Sequence, residues 1–146
     1  MPLVSKTVEV TASAETIMGI VADFENYPLW NEEIKGCWVL ARYNDGRPSQ
    51  LRLDMVAQGQ SGTFIAAVYY PGDNQIYTIL QQGDFFSKQE QKFSVVPTGG
   101  TSLLTVDLEV ETTLPIPKQM VKKAVSDTLD YLADNLKARA EQLATS

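Results

Sequence analysis

The sequence lacks the side chains that most often carry catalysis. It contains no histidine and a single cysteine, Cys37. Without histidine neither a Ser-His-Asp triad nor a Cys-His pair can form, and the commonest protein metal ligand is missing as well. One thiol plus carboxylates makes a poor zinc site, so we expect no metal and no cofactor. Any catalysis must use carboxylates, tyrosine, lysine, arginine or bound water.

Tyrosines are the best remaining candidates for a polar contact with a ligand. Tyr69, Tyr70 and Tyr77 each join a hydroxyl to an apolar ring, and such a hydroxyl can orient a carbonyl or quinone oxygen. We expect at most one or two of them to point inward. Without a histidine to activate its thiol, Cys37 is interpreted as a small hydrophobic residue.

Two groups of charged side chains are interpreted as solvated surface. Asp127, Asp130 and Asp134 have helical spacing opposite an apolar stripe, which is typical of the wet face of a helix. Arg52 and Asp54 alternate with apolar residues along a predicted strand, which favours the exposed side of a sheet over a buried pair.

The charge balance excludes some partners. The chain has 146 residues, 12 basic and 18 acidic side chains and a net charge of −6, with no basic stripe, so we expect no nucleic acid partner. No apolar stretch is long enough for stable membrane insertion, and no signal peptide is visible, so the cytoplasm is the expected compartment. We expect residues 1–146 to form a single domain, as a monomer or a weak homodimer.

The first part of the chain is predicted to be a strand followed by a helix. Alternating valines indicate a strand over Val4–Val10. Ser13 is a suitable N-cap for a helix whose apolar residues recur with helical spacing. Pro28 disfavours helical geometry at the residue before it, so we expect this helix to end near Glu25, with a further turn over Tyr27–Trp30.

Six more strands are predicted near 34–43, 50–58, 62–70, 75–82, 87–96 and 102–112. Turn sequences such as Asn44-Asp45-Gly46 and Thr98-Gly99-Gly100 separate them. Short connections between consecutive strands favour an antiparallel meander. The last strand alternates most clearly between apolar and polar residues, so one face of the sheet is expected to be dry.

A long amphipathic helix is predicted over roughly Lys118–Leu143, after the stiff connector Leu114–Pro117. Its apolar stripe consists of Val121, Val125, Leu129, Leu132, Leu136 and Leu143. This helix is the only large cover available for the dry face of the sheet. Because a twisted sheet curls and a helix is straight, the two touch unevenly, and a cavity for an apolar ligand can remain between them. A solid core built from the same residues is the alternative.

Several segments together resemble a known family. The segment Ala22–Trp30 reads Ala-Asp-Phe-Glu-Asn-Tyr-Pro-Leu-Trp and is followed by Ile34 and the pair Val39-Leu40. With the turn Gly99-Gly100-Thr101 and the connector Pro115-Ile116-Pro117, this pattern resembles the START-like helix-grip superfamily (SRPBCC) of polyketide cyclase/dehydrase and lipid-transport proteins. The small bacterial cyclase/dehydrase-type branch, which is similar to coenzyme Q-binding proteins, shows it best.

The resemblance implies an α+β helix-grip fold. In this fold a curved seven-stranded antiparallel sheet wraps around a long C-terminal helix, with short helices between strands 1 and 2. It implies binding or transport of a small hydrophobic ligand such as a lipid, quinone or polyketide. Two alternatives stay open: a polyketide cyclase/dehydrase-type enzyme acting on such a ligand, and an interaction protein of the toxin–antitoxin or growth-control type. Trp38 departs from the family pattern, and the resemblance assigns no catalytic residue.

The residues expected to contact the ligand are apolar, small or aromatic side chains on the strands and the final helix. They are Trp30, Leu53, Met55, Ile65, Ala67, Tyr69, Tyr77, Phe93, Val106, Leu108, Met120, Val121, Ala124, Val125 and Thr128.

Overall fold

The computed structural model describes residues 3–57, 59–84 and 86–144. Its elements in chain order are β1 (Leu3–Val10), α1 (Ala14–Val21), a 3₁₀ helix (Phe24–Leu29), β2 (Ile34–Arg42), β3 (Pro48–Ala57), β4 (Gln60–Gly72), β5 (Gln75–Gly83), β6 (Phe86–Pro97), β7 (Ser102–Thr112) and α2 (Lys118–Ala144). Every predicted element is present, although Gln58, at the end of the predicted third strand, lies outside the described residues. No helix in the described ranges is both long and apolar enough to cross a membrane.

The strands form one antiparallel sheet in the order β1-β7-β6-β5-β4-β3-β2. β2 to β7 follow one another as a meander because their connections are short turns. The two short helices carry the chain from β1, at one edge, to β2, at the other. With α2 packed on β1, β7 and α1, this is the predicted helix-grip fold.

The first helix ends earlier than predicted. Ser13 caps α1 as expected, because its hydroxyl accepts a hydrogen bond from the Thr16 amide at 3.1 Å. The helix stops at Val21 instead of near Glu25, and the chain continues as the 3₁₀ helix. The Tyr27 hydroxyl donates a hydrogen bond to the Val21 carbonyl, so it satisfies one of the carbonyls that a helix end leaves unpaired.

The strand register decides which side chains face α2. Leu51 of β3 lies opposite Ala66 of β4, and Leu53 lies opposite Phe64. Leu51 is almost completely buried, as is Val68 two residues beyond Ala66, so this set faces the core. Because successive residues of a strand point to opposite faces, the intervening residues of β3 and β4 lie on the outer face of the sheet.

The apolar stripe of α2 is buried as predicted, except at its end. Val121, Val125, Leu129, Leu132 and Leu136 are all buried. Leu143, in the last turn, is largely exposed and borders a surface groove beside α1. The prediction of a wet opposite face is confirmed: Asp127, Asp130 and Asp134 are exposed, and the first two pair with Lys123 at 2.9 Å and Lys6 at 3.0 Å.

Candidate functional site

A cavity of about 300 Å³ lies between the N-terminal half of α2 and the inner face of the sheet. It is open to solvent near the connector between β7 and α2, where the side chain of Met120 is 61% exposed. Its wall is made by Met55, Gly62, Phe64, Phe86, Gln89, Leu108, Val110, Thr112, Leu114, Ile116, Met120, Val121, Ala124, Val125 and Thr128. The volume is at the lower end of the range found for small-molecule pockets.

Small residues leave this space empty. Gly62 lies opposite Met55 in the β3–β4 ladder and offers no side chain to fill the sheet side. Ala124 and Thr128, one turn apart on α2, are the short side chains on the helix side.

One end of the cavity is formed by a pair of phenyl rings, those of Phe64 and Phe86, with centroids 5.8 Å apart. A Cβ atom at Gly83 would lie 2.5 Å from Cδ1 of Phe64, so glycine is required there for the ring to occupy its position. The absence of a side chain at Gly83 therefore leaves room for the Phe64 ring in the cavity wall.

Part of the predicted ligand-contacting set lies together in the cavity wall. These residues are Met55, Leu108, Met120, Val121, Ala124, Val125 and Thr128. Their contact with a ligand stays a prediction. Leu53, Phe93 and Val106 face the same side of the sheet but pack in or against the solid core next to the cavity.

The remaining predicted residues lie elsewhere. Ile65 and Ala67 pair with Arg52 and Gln50 on the outer face of the sheet. Tyr69 and Tyr77, which pair with each other, are also on that outer face, and Tyr69 is 47% exposed. Trp30 packs against Tyr27, with ring centroids 5.0 Å apart and the rings tilted by 58°, and borders the groove beside α1 instead of the cavity.

Several wall residues were not predicted. Val110 and Thr112 continue the inward series of β7, so the alternation of that strand was a usable signal. Phe86 and Gln89 both face inward although they are three residues apart, because a bulge between Phe86 and Lys88 shifts the register of β6. Nothing in the sequence marks that bulge.

The wall contains no ionisable side chain among the described residues. Its polar groups are those of Gln89, Thr112 and Thr128. The Thr112 hydroxyl oxygen accepts a hydrogen bond from the Leu114 amide at 3.1 Å. Gln89 and Thr128 are half-buried, and their side chains form no hydrogen bond with any other described residue. Two neutral polar groups, one on β6 and one on α2, are thus available to a ligand.

The three candidate tyrosines use their hydroxyls elsewhere or face solvent. Tyr77 donates a hydrogen bond to Glu90, and this bond is the main reason that the pKa of Tyr77 is raised to about 12. Tyr70 points inward but donates to the Pro48 carbonyl at 2.8 Å, with the guanidinium of Arg47 stacked 4.3 Å from its ring. Neither Tyr70 nor the exposed Tyr69 lines the cavity.

Trp38 and Arg52 stack on the outer face of the sheet. The guanidinium of Arg52 lies 5.3 Å from the Trp38 ring and pairs with Asp54 at 3.3 Å. A Cβ atom at Gly36 would lie 2.4 Å from the indole, so the ring rests on the bare backbone of that glycine. The prediction that Arg52 and Asp54 lie on the solvated face of the sheet is confirmed, and Trp38 does not fill the cavity.

Cys37 is buried in the core on β2, opposite Leu53. Burial is the main cause that raises the pKa of its thiol to about 12, and the nearby Glu25 carboxylate adds to the effect. A buried thiol with a raised pKa is protonated at neutral pH and is a poor nucleophile.

A one-sheet helix-grip domain with an apolar cavity under its last helix defines the class of this protein. Its sequence matches the family described as polyketide cyclase / dehydrase and lipid transport over residues 1–141, and the chain belongs to this family. This membership supports a general role in binding or cyclising a hydrophobic molecule. A search of curated proteins found no match to the sequence.

Solved structures agree with this assignment. The chain is similar to a START superfamily protein from Mycobacterium smegmatis, with 68% identity, coverage of 97% of this chain and 98% of that chain, and a TM-score of 0.94. It shares its fold with the Zhui aromatase/cyclase from Streptomyces sp. R1128 at 13% identity, 97% and 94% coverage and a TM-score of 0.75. It also shares its fold with the ginseng major latex-like protein 151 from Panax ginseng at 11% identity, 95% and 97% coverage and a TM-score of 0.75.

Proposed function

We propose that the protein binds and carries a small hydrophobic molecule, a lipid, quinone or polyketide-like compound, in the cavity under α2, and releases it unchanged. One observation carries this proposal: most of the described cavity wall is apolar, and the few polar side chains in it are uncharged. Such a wall gains binding energy from burying apolar ligand surface, roughly 25 cal/mol per Å² removed from water.

The enzyme alternative requires groups that this wall lacks. Cyclisation and dehydration move protons, and general acid–base catalysis needs a side chain with a suitable pKa within hydrogen-bonding reach of the substrate. Tyr70, the one candidate tyrosine that points inward, is engaged with Pro48 and Arg47 outside the wall. We therefore favour carriage over conversion.

The interaction-protein alternative has one observation in its favour. Trp38 and Leu40 are both exposed on the edge strand β2, and Trp38 is 45% exposed. However, the indole already packs on Gly36 and stacks with Arg52 within the chain. That arrangement accounts for the tryptophan without a partner, so ligand carriage is the better supported function.

Native mass spectrometry of protein purified from its own host tests the proposal directly. We expect a retained small molecule, which should be recovered chemically unchanged after incubation with fresh protein. We also expect the uncharged fluorescent probe N-phenyl-1-naphthylamine to bind with 1:1 stoichiometry. Recovery of a converted product would support the enzyme, and absence of both retained molecule and probe binding would refute carriage.

Two substitutions on α2 locate the binding site. Thr128→Phe places a phenyl ring in the cavity and should abolish probe binding, whereas Lys122→Phe adds the same ring at an exposed position and should leave binding unchanged. Thermal melts of both variants check that they remain folded. Equal probe binding by both would place the site outside this cavity.

A further inference from the structure

We infer that the cavity selects uncharged ligands that carry a carbonyl or hydroxyl oxygen, and excludes ligands whose carboxylate must enter it. This inference rests on the proposed function. It depends on two features of the wall: the absence of ionisable side chains among its described residues, and the two unpartnered neutral groups of Gln89 and Thr128.

The exclusion of anions follows from desolvation. A carboxylate that leaves water loses several kcal/mol of hydration and regains it only where a cation or several hydrogen-bond donors replace the water. The described wall offers no lysine or arginine, and the net charge of −6 opposes the approach of an anion. The Gln89 amide and the Thr128 hydroxyl could donate to an enclosed carboxylate, but no cation among the described wall residues would neutralise its charge. An uncharged oxygen needs no such cation.

The preference for an oxygen-bearing ligand follows from the two free polar groups. The Gln89 amide can both donate and accept, and so can the Thr128 hydroxyl. A serine or threonine inside a helix commonly bonds the carbonyl one turn back, yet Thr128 makes no such bond. Because these half-buried polar groups have no partner among the described residues, they favour a ligand that hydrogen-bonds to them. A pure hydrocarbon would leave both groups without a partner.

The two groups approach the ligand from opposite walls. Gln89 lies opposite Val110 on the sheet side, and Thr128 lies on the helix side, one turn beyond Ala124. Quinones and neutral aromatic polyketides carry oxygens at several positions around a compact apolar frame. Among the proposed hydrophobic ligands, these classes satisfy both features, whereas an enclosed fatty-acid carboxylate brings a charge that no described wall residue neutralises.

A pair of compounds of the same shape tests the exclusion. 2-Acetylnaphthalene and 2-naphthoate differ in replacing a methyl ketone with a carboxylate. Both are short and rigid, so neither has a flexible linker that would carry the head group away from the rings into bulk water. We expect the ketone to displace N-phenyl-1-naphthylamine and the carboxylate to bind at least about 100-fold more weakly.

The same titration separates two kinds of failure. If N-phenyl-1-naphthylamine itself does not bind, the proposed carriage fails, and this inference fails with it. If the probe binds and 2-naphthoate displaces it as well as the ketone does, the carriage stands and the inference alone is overturned.

Two substitutions with a matched control test the assigned wall residues. Gln89→Lys puts a cation in the wall and should raise the affinity for 2-naphthoate at least about tenfold. Gln82→Lys makes the same change at an exposed position on the outer face of β5 and should leave that affinity unchanged. Equal effects of the two variants would overturn the assignment, because they would indicate a general charge effect.

A neutral variant covers the case in which Gln89→Lys does not fold. Gln89→Leu keeps the wall uncharged and removes the hydrogen-bonding amide. We expect it to weaken 2-acetylnaphthalene binding by about 3- to 10-fold while leaving naphthalene binding unchanged. A uniform loss for both compounds would overturn the role of Gln89 in recognising the ligand oxygen.

Discussion

The two halves of α2 differ in how tightly they pack against the rest of the protein. In the C-terminal half, Ala133, Leu136 and Ala140 are completely buried. In the N-terminal half, Val121, Ala124, Val125 and Thr128 border the cavity, and Met120 at its mouth is largely exposed. The same helix thus packs against the core in its C-terminal half and covers the cavity in its N-terminal half.

This difference separates stability from binding along a single element. Tight packing contributes dispersion contacts that a cavity forfeits, so we expect the C-terminal half to contribute more to folding stability than the N-terminal half. The N-terminal half gives up those contacts and keeps a ligand-sized space. We therefore expect substitutions in the two halves to affect different measurements.

The largest expected effect is on the packed half. Leu136→Ala removes a fully buried side chain and leaves a cavity where none exists, which should lower the free energy of unfolding by about 2–5 kcal/mol. Binding of N-phenyl-1-naphthylamine should be unchanged under conditions in which the variant is folded, because Leu136 does not line the binding cavity. Denaturant melts and a probe titration measure the two effects.

A small stability loss for Leu136→Ala would contradict the comparison. It would mean that the core around Leu136 is as loosely packed as the wall around Ala124. A large loss of probe affinity in the folded variant would also contradict it, since the two halves would then be coupled through the helix.

A smaller effect is expected from adding volume at two alanines of the same helix. Ala133 is completely buried in the packed half, so Ala133→Leu should overpack the core and lower the free energy of unfolding by about 1–3 kcal/mol. Ala124→Leu should be accommodated by the cavity, with little change in stability and a loss of probe affinity of at least about tenfold. Each variant is the control for the other.

Reversal of this pattern would be informative. If Ala124→Leu destabilised the protein as much as Ala133→Leu, the space under the N-terminal half would not be available to a side chain and so not to a ligand. If Ala133→Leu were harmless, the packed half would hold spare volume, and the distinction between the halves would disappear.

The sequence predicted the fold well because its signals are strong and local. The alternation in β7, the turns between strands and the stripe on α2 each depend on neighbouring residues. The largest boundary error is at the end of α1, where the Tyr27 hydroxyl donates a hydrogen bond to the Val21 carbonyl, a contact that no periodic pattern in the sequence indicates.

The site was harder to predict because it depends on which face of each strand is inside. β4 reads Phe-Ile-Ala-Ala-Val-Tyr-Tyr over residues 64–70, so both faces are apolar and the alternation gives no direction. Ile65, Ala67 and Tyr69 were accordingly placed inside, whereas the register puts them outside. On β6 the bulge between Phe86 and Lys88 shifts which residues face inward. Helix α2 has one apolar face only, and the predicted residues on its N-terminal half lie in the wall.

The smallest expected effect concerns the chemistry of Cys37, which reports on the packed region without altering it. With a pKa of about 12, only on the order of 1 in 10,000 folded molecules carries the thiolate at pH 8. Labelling by a disulfide reagent should therefore proceed through opened molecules, in which the thiol has an ordinary pKa of about 8.5. The labelling rate should rise with pH up to that pKa and then level off.

Because opening follows the free energy of unfolding, Leu136→Ala should accelerate labelling strongly and Ala124→Leu should not. A labelling rate that keeps rising tenfold per pH unit beyond pH 9, equally in both variants, would instead indicate direct attack on the folded thiol and would show that the core around β2 admits reagent.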